Sequence, residues 1–448
     1  MEYVHVESGL QSRSGIDYSR ASVRQSSRAL VSLIEALGKK NFGFDSTLRL
    51  AQKIRDYKNR LQLENLKTYA DSGGYSIIKG DVPFDKTTSF INCYNRYLEY
   101  EQDSFDFIFS LDIPIWGRDE DSQHLTRENL FYFNDKSTND SLSIINKHPE
   151  LASKWFFVWH FKFSSQFTVW SDIFANHQVS HVTSNYAIGG QVGLRKMAES
   201  ARGRALDFTA FTAMAFLCLA EHLSGPLAEQ QFKLHVLGIY NQIDRLQLIL
   251  IDKLFTHFLK SLGLPTPEIT HDTINYVVSA MYSSRQLKTY SFDGANIHQY
   301  RNIIDVPDSI VREVYFDDEL YSGFMYERER QKSFDEFDDI SFAVPLNVHS
   351  HMQLDSFLEY VAEQYNFCNL IVDEQNIHNF ENIANSICYR IQKAHSDIFS
   401  IGQMENLKNN LVSAHNCWRL LQDGDIEGIR SNVKHYIRLL GLPDPFAN

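Results

Sequence analysis

Tyr69-Ala70-Asp71-Ser72-Gly73-Gly74-Tyr75 ends an apolar-polar run on a carboxylate and follows it at once with paired glycines and an aromatic ring. Glycine permits backbone geometries and close approaches denied to other residues. The junction can therefore set a carboxylate, bare N–H groups and a flat ring around one planar ligand. Alone, D-S-G-G is also ordinary turn chemistry. Its weight comes from recurrence along the chain: Ser110-Leu111-Asp112-Ile113-Pro114, then Ala187-Ile188-Gly189-Gly190-Gln191-Val192-Gly193, then Ile269-Thr270-His271-Asp272-Thr273. Three aspartates and a second Gly-Gly each stand close behind a short apolar run.

Between about residue 30 and residue 300, short apolar runs alternate with longer helical patterns, the signature of βα units and a parallel sheet. Strands are expected over Phe105 to Leu111, Trp155 to Trp159, His181 to Ile188, Leu234 to Ile239 and Glu268 to Thr270. Helices are expected over Ser46 to Tyr57, Ala205 to His222 and Ile243 to Leu262. In the last of these Ile243, Leu246, Leu250, Leu254 and Phe258 recur every three to four residues, and Gly263 and Pro265 supply the stop. In a closed (β/α)8 barrel the residues just past the carboxyl ends of the strands face one another across the mouth. Asp71, Asp112, Gly189, Gly190 and Asp272 all hold that kind of position. A doubly wound sheet would want a G-x-G-x-x-G or Walker-type loop, and neither occurs. The fold expected is thus α/β: a TIM-type barrel over residues 1–300, a charged connection or insert over 301–353 and a helical carboxyl-terminal domain over 354–448.

That division follows the texture of the 448-residue chain, which exceeds a usual single domain. Charges crowd the segment from Phe316 to Ile340. Beyond Leu354 the pattern is helical, with Leu407, Leu411, Ala414, Trp418 and Leu421 on one face and Gly441 and Pro443 ending the last helix. The longest apolar run, Phe208 to Ala220, is too short to cross a bilayer and reads as a buried helix. The amino terminus lacks the basic start and apolar stretch of a secretory signal. Five scattered cysteines without C-x-C or C-x-x-C spacing point to reduced thiols, a cytoplasmic setting and no cysteine zinc site. A formal charge of −13 argues against a general polyanion binder but leaves room for a local basic groove.

Carboxylates on opposite sides of a pocket can divide the work of N-glycosidic exchange. One attacks the sugar carbon while the other manages the proton of the departing base. A third can accept from two adjacent N–H donors of a guanine-like edge. Each residue also has a plainer reading: Asp272 as a helix N-cap, Asp112 as the start of a turn before Ile-Pro, the glycines as turn formers and His271 as a structural donor. His349 and His351 lack accompanying ligands, and no metal is assigned.

These elements resemble the tRNA-guanine transglycosylases and their DNA-modifying relatives of the 7-deazaguanine pathway. Asp71-Ser72-Gly73-Gly74-Tyr75 is similar to that family's D-S-G-G-F element, and Ser110-Leu111-Asp112 to the strand end whose Asp reads the base. Ile188-Gly189-Gly190-Gln191-Val192-Gly193 is similar to its G-G-L-x-V-G loop, one residue shorter. His235-Val236-Leu237-Gly238-Ile239 is similar to the strand that precedes the nucleophile, which falls at Asp272. The likeness covers roughly residues 60 to 290. It implies Asp272 as nucleophile and Asp71 as general acid and base. It further implies a base site of Ser72, Gly73, Gly74, Tyr75, Asp112, His160, Gly189, Gly190 and Gln191, with no cofactor. Two departures stand out. No C-x-C-x-x-C zinc module follows Asp272, which moves the comparison from tRNA towards DNA, and Val158-Trp159-His160-Phe161 stands where the family carries a Gln-Gly pair.

The reading implied is exchange of guanine in DNA for a 7-deazaguanine base such as 7-cyano-7-deazaguanine. A helper ATPase subunit would open the duplex, and no membrane is involved. Arg195, Lys196, Arg202, Arg204, Arg285 and Lys288 follow two of the mouth loops, where a phosphate backbone would lie, although a solvated face is the usual role for such charges. The alternatives are the same chemistry on tRNA, a catalytically silent barrel that binds nucleic acid or a partner subunit, and an unrelated barrel glycosidase.

Overall fold

Short apolar stretches of the first 273 residues become the eight strands of one sheet: β1 Glu2–Val6, β2 Arg28–Ser32, β3 Lys67–Asp71, β4 Phe107–Phe109, β5 Trp155–Trp159, β6 Asn185–Ile188, β7 Lys233–Val236 and β8 Glu268–Thr273. All neighbours run parallel, and the sheet closes where β1 pairs with β8, Val4 opposite Asp272. The computed structural model describes residues 1–6, 16–33, 52, 55–56, 59, 65–73, 82–100, 102–114, 126–189, 209–239, 242–273, 289–300, 303–331, 341–442, 444 and 446. The chain is therefore an α/β protein built on a closed (β/α)8 barrel with a helical carboxyl-terminal region.

Alternation along the strands sends Val4, Leu30, Tyr69, Phe107, Phe109, Phe156, Val158 and Ala187 inward, where they form a separate core of the barrel interior. Ring contacts such as Tyr69 to Phe107 at 4.7 Å and Phe109 to His235 at 4.7 Å plug the barrel beneath its mouth. Strands β1 and β2, absent from the sequence expectation, each begin on a charged residue. Those charges close the other end of the barrel. Arg28 donates to the Tyr69 hydroxyl at 2.8 Å, pairs with Glu2 and lies 3.4 Å from Glu268. The strand expected over Phe105 to Leu111 is regular only at Phe107–Phe109, for the Val158 N–H turns to the Ser110 hydroxyl and the ladder stops short of Asp112. Likewise the strand expected over His181 to Ile188 begins only at Asn185, His181 being the last residue of a 3-10 turn, Val179–His181.

Helices α1 Ser19–Ser26, α2 Thr87–Tyr100, α3 Arg127–Lys147, α4 Ser164–Asn176, α5 Thr209–Ser224 and α6 Gln242–Ser261 follow β1, β3, β4, β5, β6 and β7. The helix expected over Ser46 to Tyr57 falls largely outside the described residues. Helix α5, which carries the long apolar run, is buried almost throughout. It packs on β6 from within and is covered from outside by α12 Ile401–Gln422 and α13 Ile426–Leu439 of the carboxyl-terminal region. A helix covered on both faces has no use for a polar stripe. Among the described residues no helix is long and apolar enough to cross a membrane.

The expected layout after residue 300 needs correction in two respects. The described residues 303–331 of the charged stretch within 301–353 are folded and packed rather than an exposed connection. They carry α7 Asp308–Val314 and α8 Asp318–Gln331, whose Val311, Val314, Leu320 and Phe324 join Tyr3, Tyr18 and Ala21 in a second core. A boundary at 353/354 would also bisect α9 Val344–Gln364, which packs against α1 and α6 in the barrel's outer layer. The apolar residues of α10 Phe367–Val372, α11 Phe380–Ala394, α12 and α13 share one continuous core with the barrel's outer face.

Candidate active site

Asp71 is the last residue of β3, Asp112 lies three residues past β4, and Asp272 is the penultimate residue of β8. All three belong to the carboxyl end of the barrel, where loops from different strands converge. Their charges interact. Burial first, and then the negative charges of Asp112 and Asp272, push the Asp71 carboxyl up to about 8, while backbone N–H groups of Gly73 and Ser72 pull the other way. Gly73 supplies one of those donors from a left-handed turn, φ +71°, which most other residues resist.

The other two carboxyl groups are held differently, each by a buried imidazole. Asp112 is 8% exposed, its Oδ2 2.6 Å from Nε2 of His160 and its Oδ1 3.3 Å from the Ser72 hydroxyl, which donates to it. The His160 ring is wedged between Trp170, at 5.1 Å between centroids, and Gly189. A Cβ on Gly189 would stand 2.8 Å from His160 Cε1 and 2.9 Å from Nε2, so only glycine lets the ring reach Asp112. Asp272 is 6% exposed. Its Oδ1 accepts from the Gly238 N–H at 2.6 Å, and its Oδ2 lies 3.4 Å from Nε2 of His235. His235 is itself fixed, with Nδ1 2.8 Å from the Thr270 hydroxyl and its ring against Tyr69, Phe109 and Phe156. Gly238 reaches Asp272 from a positive φ of 77°.

Of the site residues expected from sequence, Asp71, Ser72, Gly73, Asp112, His160, Gly189 and Asp272 are brought to the barrel mouth. Gly74, Tyr75, Gly190, Gln191, Arg195, Lys196, Arg202, Arg204, Arg285 and Lys288 lie outside the described residues. Three contributors carried no role in the sequence reading: His235, Gly238 and Tyr94. Alternation within His235-Val236-Leu237-Gly238-Ile239 was a usable signal for the first, since the strand's inward positions are 235 and 237. Tyr94 on α2 is fully buried, donates to the Phe109 carbonyl at 2.6 Å and feels the charges of Asp71 and Asp112. No local pattern marks it. His271 faces the opposite side of β8 from Asp272 and is buried against Tyr3, at 5.7 Å between ring centroids.

Chemically, the mouth offers a carboxyl group that retains its proton at neutral pH beside a second and a third carboxyl group clamped in fixed orientations. Such asymmetry separates a proton donor from its partners. Among the described residues no three His, Cys, Asp or Glu side chains are grouped to hold a metal ion. No protein-family model matches the chain, and no curated protein resembles it significantly.

Proposed function

We propose that this chain is a base-exchange enzyme that replaces guanine in DNA with a 7-deazaguanine base, 7-cyano-7-deazaguanine being the first candidate. The observation that carries the reading is the division of labour among the three aspartates. Burial and the charges of Asp112 and Asp272 push the Asp71 carboxyl up to about 8, and Asp112 and Asp272 each lie beside a buried histidine. In this scheme Asp272 attacks C1′ of a flipped-out deoxyguanosine. The C1′–O bond to Asp272 forms as the bond from C1′ to the base breaks, and the Asp71 carboxyl gives its proton to the departing guanine. The 7-deazaguanine then enters, N9 displaces Asp272 from C1′, and Asp71 takes back the N9 proton. Asp112, with one oxygen on His160 and the other on Ser72, keeps a lone pair on each oxygen for the N–H edge of the base. No redox step occurs.

The test is mass spectrometry of nucleosides from DNA, and separately from tRNA, after incubation with purified protein and 7-cyano-7-deazaguanine. The expected result is a deazaguanine deoxynucleoside that disappears with Asp272→Ala. Product only in tRNA would transfer the proposal to that substrate. No product in either, with single-stranded DNA and a duplex-opening ATPase also supplied, would overturn it in favour of a silent barrel.

A further inference from the structure

Polar side chains stand in file through the barrel interior, from its closed end to its mouth. Alternation along β8 turns Glu268, Thr270 and Asp272 inward in succession, and His235 of β7 is the ladder partner of Thr270. At the closed end, Arg28 Nη1 donates to the Tyr69 hydroxyl at 2.8 Å. Thr270 is the other hydrogen-bonding neighbour of that hydroxyl. The Thr270 hydroxyl lies 2.8 Å from His235 Nδ1, and His235 Nε2 lies 3.4 Å from Asp272 Oδ2. Arg28, Tyr69, Thr270 and His235 are all buried, so bulk water does not compete for these bonds.

The two ends of the file set the direction in which each proton points. A guanidinium has donors only, so the Tyr69 oxygen accepts from Arg28. Burial holds the Tyr69 hydroxyl well above its usual range, and the proton it keeps goes to the Thr270 oxygen. Thr270 then gives its single proton to His235 Nδ1, which must carry a lone pair. The hydrogen bond at one imidazole nitrogen decides the state of the other, so the ring proton belongs to Nε2, aimed at Asp272 Oδ2. The mouth end agrees, since a carboxylate can only accept. Every link thus runs the same way, and each bond polarises the next.

We propose that Arg28, Tyr69, Thr270 and His235 are positioning residues for Asp272, a one-way chain of hydrogen bonds that keeps the His235 proton on Nε2 and fixes the plane of the carboxylate. The second oxygen, Oδ1, is held by the Gly238 N–H at 2.6 Å. Arg28 acts from the far end of the barrel and touches no substrate. The role of the chain in catalysis rests on the base-exchange reading: the negative charge that returns to Asp272 when N9 displaces it meets two N–H donors already in place. The tautomer of His235 does not depend on that reading.

The test is heteronuclear NMR of the full-length protein with isotopically labelled histidine rings, the His235 signals being identified by their loss in His235→Gln. The wild type should show a protonated Nε2 and an unprotonated Nδ1. Asp272→Asn removes the carboxylate's own preference, because an amide can donate or accept; the Nε2 proton should persist there, held by the chain from Arg28. Adding Tyr69→Phe to Asp272→Asn cuts that chain with the ring retained, and a mixture of both tautomers is expected. A proton on Nδ1 in the wild type or in Asp272→Asn, or an unchanged tautomer in the double variant, would overturn the proposal. In base exchange, Tyr69→Phe alone should lower kcat about tenfold with KM little changed, and a wild-type kcat would refute the positioning role. Absence of base exchange by the wild type would overturn that reading alone, and the tautomer would still decide this one.

Discussion

Asp71→Asn should make the protein more stable, and increasingly so as pH rises. In the fold the Asp71 carboxyl is pushed up to about 8 from 3.8. Between those values the native state holds a proton that the unfolded chain has released. Wild-type stability therefore falls as pH climbs through the window from about 4 to about 8, and the loss is complete above it. A gap of about four pH units, at about 1.4 kcal/mol each, sets a ceiling near 6 kcal/mol. Asp71 is only partly buried, so solvent screening reduces the realised effect to about 2–3 kcal/mol. Asparagine matches the shape, retains an acceptor for the Ser72 and Gly73 N–H groups and carries no charge to repel Asp112 or Asp272. For a chain of 448 residues, 1 kcal/mol moves the melting temperature by about 1 °C. Melting curves of wild type and variant at pH 4 to 9 and constant ionic strength should lie closest at pH 4 and separate progressively to about 2–3 °C at pH 9, the variant higher. Parallel curves, or a variant less stable at pH 9, would refute the account of Asp71 as a carboxyl strained by its neighbours.

The same titration governs chemistry under the proposed function: base exchange should fall as pH rises through about 8 and the Asp71 proton is lost, whereas a rate that climbs across pH 8 would deny Asp71 the role of acid. Gly189→Ala should displace His160, lowering stability by about 1–3 kcal/mol through overpacking; an unchanged melting temperature would show that the ring can give way without cost. His160→Leu leaves the buried Asp112 without its 2.6 Å partner and should cost about 1–3 kcal/mol by denaturant titration, with His160→Gln recovering part of it. Of the five free thiols only Cys368 is partly exposed, and burial pushes Cys388 and Cys417 up to about 12. Brief alkylation of the native protein should thus mark Cys368 alone in peptide mass spectra, and native labelling of Cys417 would contradict the packing of α12.

What local sequence determined is the barrel and the residues at its mouth. Strand-length apolar runs ending in Asp or Gly can be read because burial of a parallel strand demands continuous apolar character, and because a residue just past the strand must leave that buried layer. Asp71, Asp112, Gly189 and Asp272 were visible on that ground. The charged strands β1 and β2 were not, since Glu2 and Arg28 become tolerable only when closure of the barrel brings them together with Tyr69 and Glu268. Nor did Phe208 to Ala220 disclose what covers its second face, which is supplied by helices some 200 residues later in the chain. Tertiary structure alone decided what surrounds each carboxyl. Asp71, Asp112 and Asp272 are the same residue type in similar local settings. They differ because His160 and His235, from strands remote in sequence, arrive beside two of them, while the charges of those two converge with burial on the third.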